Sequence, residues 1–257
     1  MRGKAARIVL AGLILAQMPM VALAADPIAK PATAADYAKL AKLPDWSGVW
    51  QPDWSKLFAS RGAANATPSL TPAAAKAVAD FNAAKAKGEN LQTQLANCVP
   101  PGMPQIMRMP YPIEFLVTPA VVAIVIETES QIRHVYVDGR PLPDDPDPYF
   151  NGWSVGRWEG DTLVVDTIGL NTKASLMEGI HPTEKTRIRE RIRLTARDVL
   201  TIETTIIDPD IFVTPLTTEN VYQRRRDWQI KEYVCQENNH DAADEQGRPS
   251  FRLDDKK

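Results

Sequence analysis

The sequence is short of several things at once. It has two cysteines and three histidines, and after the first 24 residues no apolar run is long enough to cross a membrane as a helix. Charge of one sign is missing too: 30 Lys and Arg stand against 32 Asp and Glu, a formal net charge of −2. A broad nucleic-acid surface is therefore not expected, because phosphate binding is dominated by Lys and Arg. Glycine is scarcer than proline, 13 against 21, which argues against an all-helical bundle. No G-x-S-x-G, H-E-x-x-H, P-loop or dinucleotide fingerprint occurs, so no cofactor is expected. A metal set is not expected either. Met103, Met107 and Met109 read as packing under a Pro-rich loop rather than as copper ligands. Asp144, Asp145 and Asp147 lack the Gly and the distal Glu of a calcium loop.

What is present begins with an address. Arg2, Lys4 and Arg7 precede the short apolar run 8–16, and Ala22-Leu23-Ala24 has the small-x-small cleavage pattern. Residues 1–24 read as a signal peptide, with an uncleaved anchor as the alternative, and the mature chain as periplasmic or secreted. Export gives the cysteines a meaning. Cys98 and Cys235 are expected to form a disulfide, a free catalytic thiol being the alternative.

Composition divides the remainder. Residues 25–97 are Ala-rich and read as a helical extension packed on the body of the protein. Helices are predicted over 34–43, with Thr33 as N-cap, and over 72–87, with Thr71 as N-cap and Gly88 as the stop. Between them, Trp46, Trp50 and Trp54 are large aromatics expected to dock rather than face water. From residue 112 the period becomes two, and nine strands are predicted: 113–118, 121–127, 131–138, 152–158, 162–168, 186–194, 199–207, 218–225 and 229–234. Their hairpin-length connections imply an antiparallel up-and-down barrel over 98–238, with an open sandwich as the alternative. The polar tail 239–257 is expected to be disordered.

Alternation assigns faces. Arg187, Arg189, Arg191 and Arg193 point one way, so Glu190 points inward with Ile188, Ile192 and Leu194. The same parity places Glu232 inside with Trp228, Ile230 and Val234. Over 131–138 it leaves open whether His134 and Tyr136 or Arg133 and Val135 are interior. Arg157 and Asp166 share a face across the Gly160 hairpin. A buried carboxylate marks either a hydrogen-bond network or a site. Glu190, Glu232 and His134 are therefore the catalytic candidates, each weighed against a structural role. Tyr136, Trp153, Arg157, Trp158, His181 and Trp228 are the candidate ligand contacts.

Two resemblances follow from particular words. Gly48-Val49-Trp50 ahead of a β-rich chain resembles the G-x-W signature of lipocalins, implying a lipocalin- or calycin-like barrel. The words at 111–116, 138–141, 151–167 (NGWSVGRWEGDTLVVDT) and 232–239 (EYVCQENN) resemble a large family of secreted bacterial proteins of unassigned function. The expected function is an exported barrel binding a small apolar or aromatic molecule. The alternatives are a cofactor-free acid–base isomerase, cyclase, hydratase or lyase on the same barrel, and a structural or envelope-interaction protein.

Overall fold

The computed structural model describes residues 32–57, 68–89 and 97–235, with the backbone of 241–243 and 249–251. The expected signal peptide lies outside the described residues. Nine strands close a mainly β barrel: β1 (Val49–Pro52), β2 (Ile113–Val117), β3 (Val121–Ile126), β4 (Gln131–Tyr136), β5 (Trp153–Glu159), β6 (Thr162–Ile168), β7 (Arg187–Ala196), β8 (Val199–Ile207) and β9 (Leu216–Arg225). Eight of them lie where period-two alternation predicts strands. The ninth does not. Val49–Pro52, inside the segment expected to be an extension, pairs through Trp50 with Ile113 of β2 on one side and Arg224 of β9 on the other. With β1 on β9, no edge remains for residues 229–234. That stretch is not a strand, and Glu232 is exposed on it.

The barrel is also mixed. β4 and β5 run parallel, joined through Val135↔Ser154 and Tyr136↔Val155, whereas the other barrel pairs are antiparallel. A parallel pair needs a crossover. Residues 137–152, with Pro141, Pro143, Pro146 and Pro148, supply it, held by Tyr149 N donating to Gly169 O at 3.0 Å and Met103 N to Phe150 O at 2.8 Å. In the tail expected to be disordered, β10 (Asp241–Ala243) pairs with β11 (Pro249–Phe251).

The helices follow their caps. α1 (Ala34–Leu40) starts at Thr33, whose hydroxyl accepts from Asp36 N while the Asp36 carboxylate accepts from Thr33 N, a reciprocal capping box. α2 (Pro72–Ala86) starts at Thr71, has proline at its first position and ends at Lys87 before Gly88. Its Ala74 sits in a second apolar cluster with Leu176, Ile206, Ile211 and Phe212, which docks the helix on the loops beside the barrel.

Inside, β2, β3, β6, β7 and β8 contribute Ile113, Phe115, Ile124, Leu163, Ile192 and Ile202 to one core. A 3₁₀ turn, Gln105–Arg108, brings Ile106 and Met107 into that core, with Met103 beside them. Tyr222 Oη and Asn220 Nδ2 donate to Met107 O at 2.5 and 3.4 Å. Gly102 makes the approach possible: its φ is +68°, and a Cβ there would lie 2.6 Å from Ala174 Cβ and 2.7 Å from Phe150 O. Met103 and Met107 are core packing. The Cys98–Cys235 disulfide forms and ties residues 226–235 back to the start of this plug.

Candidate ligand site at the open end of the barrel

Glu190 points inward as its parity requires and is 0% exposed. It does not stand alone. Arg133, 1% exposed on the neighbouring face of β4, donates Nη1 to Glu190 Oε1 at 3.1 Å and Nη2 to Oε2. The same guanidinium donates to Ser154 Oγ at 3.2 Å and Thr167 Oγ1 at 2.9 Å, and these hydroxyls bond each other at 2.8 Å. Arg133 and Val135 are thus the interior set of β4, and His134 and Tyr136 the outer one. Burial raises the Tyr222 phenol above its ordinary range, and the Glu190 charge adds to the shift. The arrangement is a satisfied buried network that fills the barrel.

The other expected residues are dispersed. His134 is exposed on the outer face, stacked on Tyr136 at 6.5 Å, and Arg140 lies 4.0 Å over the Tyr136 ring. Trp153 faces outward and donates Nε1 to Asp147 O at 2.9 Å. Arg157 is exposed; it pairs with Asp166 at 3.4 Å, as face sharing predicts, and with Glu159 at 2.8 Å. His181 shares a hydrogen bond with Ala174 O at 2.8 Å from an exposed loop. Trp228, 37% exposed, lies under Arg225. Glu190, Glu232 and His134 are therefore not gathered: one is inside, one outside the sheet, one on the outer wall. Among the described residues, no three His, Cys, Asp or Glu side chains gather as a metal set.

Of the candidate ligand contacts, Trp158 lines a concavity. At the end of the barrel away from the Met103–Met107 plug, a groove of about 440 Å³ is lined by Leu43, Pro44, Trp46, Phe115, Val117 and Trp158, together with Leu40, Ala41, Asp45 and Ser47. β2 and β5 supply one wall. The other is the chain entering β1, turned by Gly48 at φ +94°. Trp46, 3% exposed, meets Phe115 and Trp158 edge to face, with centroids 4.9 and 5.1 Å apart. Trp54, the third aromatic of the segment, is 49% exposed and takes no part.

Arg224 anchors the entering wall. Its guanidinium lies 4.4 Å over the Trp50 ring and donates to Ser47 O and Asp45 O, each at 2.6 Å, and to Asp45 Oδ2 at 3.1 Å. Hydrogen bonding from Ser47 holds the Asp45 carboxyl below its usual range, and Arg224 and Arg226 add to the shift. The groove is apolar and aromatic, with one carboxylate and no cation among its lining residues. Neither the models of known protein families nor the curated proteins yield a match to this chain.

Proposed function

We propose that this protein is an exported small-molecule-binding barrel that takes an apolar or aromatic ligand at its open end. The groove between Trp46, Phe115, Val117 and Trp158 carries the reading: an aromatic concavity of about 440 Å³ lies within the size range of small-ligand sites. The packed barrel favours this end over a central cavity, because the Arg133–Glu190 network and the plug occupy the axis. The Gly48-Val49-Trp50 resemblance to lipocalins supports the same reading. Against it, nine strands with one parallel pair differ from the eight-stranded up-and-down lipocalin barrel. Export, and kinship with the secreted bacterial family, belong to the proposal too. They are supported by the N-terminal address, the family words at 151–167 and 232–239, and a disulfide of the kind that persists outside the cytoplasm.

Fluorescence titration of the mature protein with N-phenyl-1-naphthylamine tests the site. Saturable one-site binding is expected, weakened about tenfold or more in W158A through lost apolar contact. No saturable binding, or equal affinity in W158A, overturns the assignment.

A further inference from the structure

Two indole nitrogens on rings that line this groove differ from those of Trp50 and Trp153. Trp50 Nε1 donates to Trp46 O at 3.1 Å and Trp153 Nε1 to Asp147 O at 2.9 Å. Trp46 Nε1 and Trp158 Nε1 are enclosed, as Trp50 Nε1 is, yet neither has a hydrogen-bond partner among the described residues. An unmade buried N–H is costly and rare, and here two occur in adjacent rings of a single groove. The edge-to-face contacts around Trp46 provide only a weak N–H···π substitute for an oxygen acceptor.

The charge of the lining narrows the ligand further. Asp45 is the one ionisable lining residue, it stays ionised, and Arg224 and Arg226 already face it. A ligand carboxylate would lose water beside that charge with no lining cation to offset the loss. A ligand ammonium would meet a carboxylate already engaged.

We infer that the groove selects an uncharged aromatic compound carrying an acceptor oxygen, a ketone being the simplest form, which accepts from the indole N–H groups of Trp158 and Trp46. The inference rests on the groove being the ligand site proposed above. Trp158 is half-buried while Trp46 is fully covered, so Trp158 is the ring that turns to open the pair. The ketone oxygen then replaces the edge contact between the two indoles.

Three probes of one shape test this by equilibrium dialysis against the mature protein: 2-acetylnaphthalene, 2-ethylnaphthalene and 2-naphthoate. The ketone should bind about tenfold more tightly than the hydrocarbon, the value of one net hydrogen bond, and naphthoate should bind no better than the hydrocarbon. W158F keeps an aromatic ring and removes the donor. Whatever contact the smaller ring costs both probes, it should erase the gap between ketone and hydrocarbon. W46F should act the same way, and W158F alone decides if W46F does not fold. Equal binding of ketone and hydrocarbon, tightest binding of naphthoate, or a ketone preference that survives in W158F overturns the inference while leaving the site in place. Binding of none of the three removes the site itself.

Discussion

Arg133 and Glu190 face each other inside the barrel as a two-pronged ion pair, with Ser154 and Thr167 completing the guanidinium's bonds. Such a pair is demanding in one direction only. Removing one partner strands the other charge in an apolar core, whereas replacing both with packed apolar side chains is often neutral. E190Q should therefore lose about 3–5 kcal/mol of stability in urea melts, and R133L/E190L should recover most of it. A near-wild-type E190Q would mean the carboxylate is not a structural partner, and would reopen its candidacy as a general base.

Arg224 is the latch between the last strand and the first. Lysine keeps the charge at this position but loses both the planar stack on Trp50 and the fork that reaches Asp45 O, Ser47 O and Arg197 O. R224K should cost about 2–3 kcal/mol, the value of lost charge-assisted bonds at a covered site. It should also change the near-UV circular dichroism of Trp50. An unaltered melt and spectrum would show that the barrel closes without the latch.

The strands of the barrel are unequally legible in the sequence. β7 announces itself, because its first eight residues alternate arginine with Ile188, Glu190, Ile192 and Leu194, and its inward carboxylate follows from parity alone. β1 does not. Four residues are too few for a period, and its partners Ile113 and Arg224 lie far along the chain. The alternating pattern at 229–234 misleads for the complementary reason: β1 already holds the place beside β9. Arg133 was within reach, since an inward Glu190 calls for a cation and Arg133 shares parity with Val135. The groove was less so. Trp46 and Phe115 meet only because Gly48 turns the entering chain across the barrel end.

The disulfide closes a separation of 137 residues, for which the chain-entropy view gives about 5 kcal/mol. Beyond it, residues 229–235 are held by Lys231 N to Glu127 Oε2 at 2.8 Å, a Ser130–Tyr233 exchange near 3 Å and the Tyr111–Tyr233 ring contact. C235S should lower the melting temperature and expose this segment to limited proteolysis, while the barrel's far-UV spectrum persists. Intact mass of the oxidised protein should be two hydrogens below the reduced form. Two thiols that alkylate without denaturant would contradict the bridge.

Asp45 ties the groove wall to pH. Its folded carboxyl is held low by Ser47 hydrogen bonds and then by Arg224 and Arg226, so the folded state favours the ionised form more than the unfolded chain does. A depressed carboxylate contributes stability that is fully present above the unfolded value of about 3.9 and is lost as pH falls through the lower folded value. Asp36, Asp53, Asp138 and Asp227 are shifted the same way by their own hydrogen bonds and add to one acid limb. The Asp45 side chain is 60% exposed, which keeps its share modest. Above pH 5, D45N should be slightly less stable than wild type and bind N-phenyl-1-naphthylamine more weakly, because the wall at 43–47 loses its tie to Arg224. The stability difference should shrink as pH drops below about 4, and the binding difference only at the lower pH where folded wild-type Asp45 loses its charge. A D45N protein whose deficit stays constant from pH 6 to pH 3 would show that the charge on Asp45 does not hold the wall.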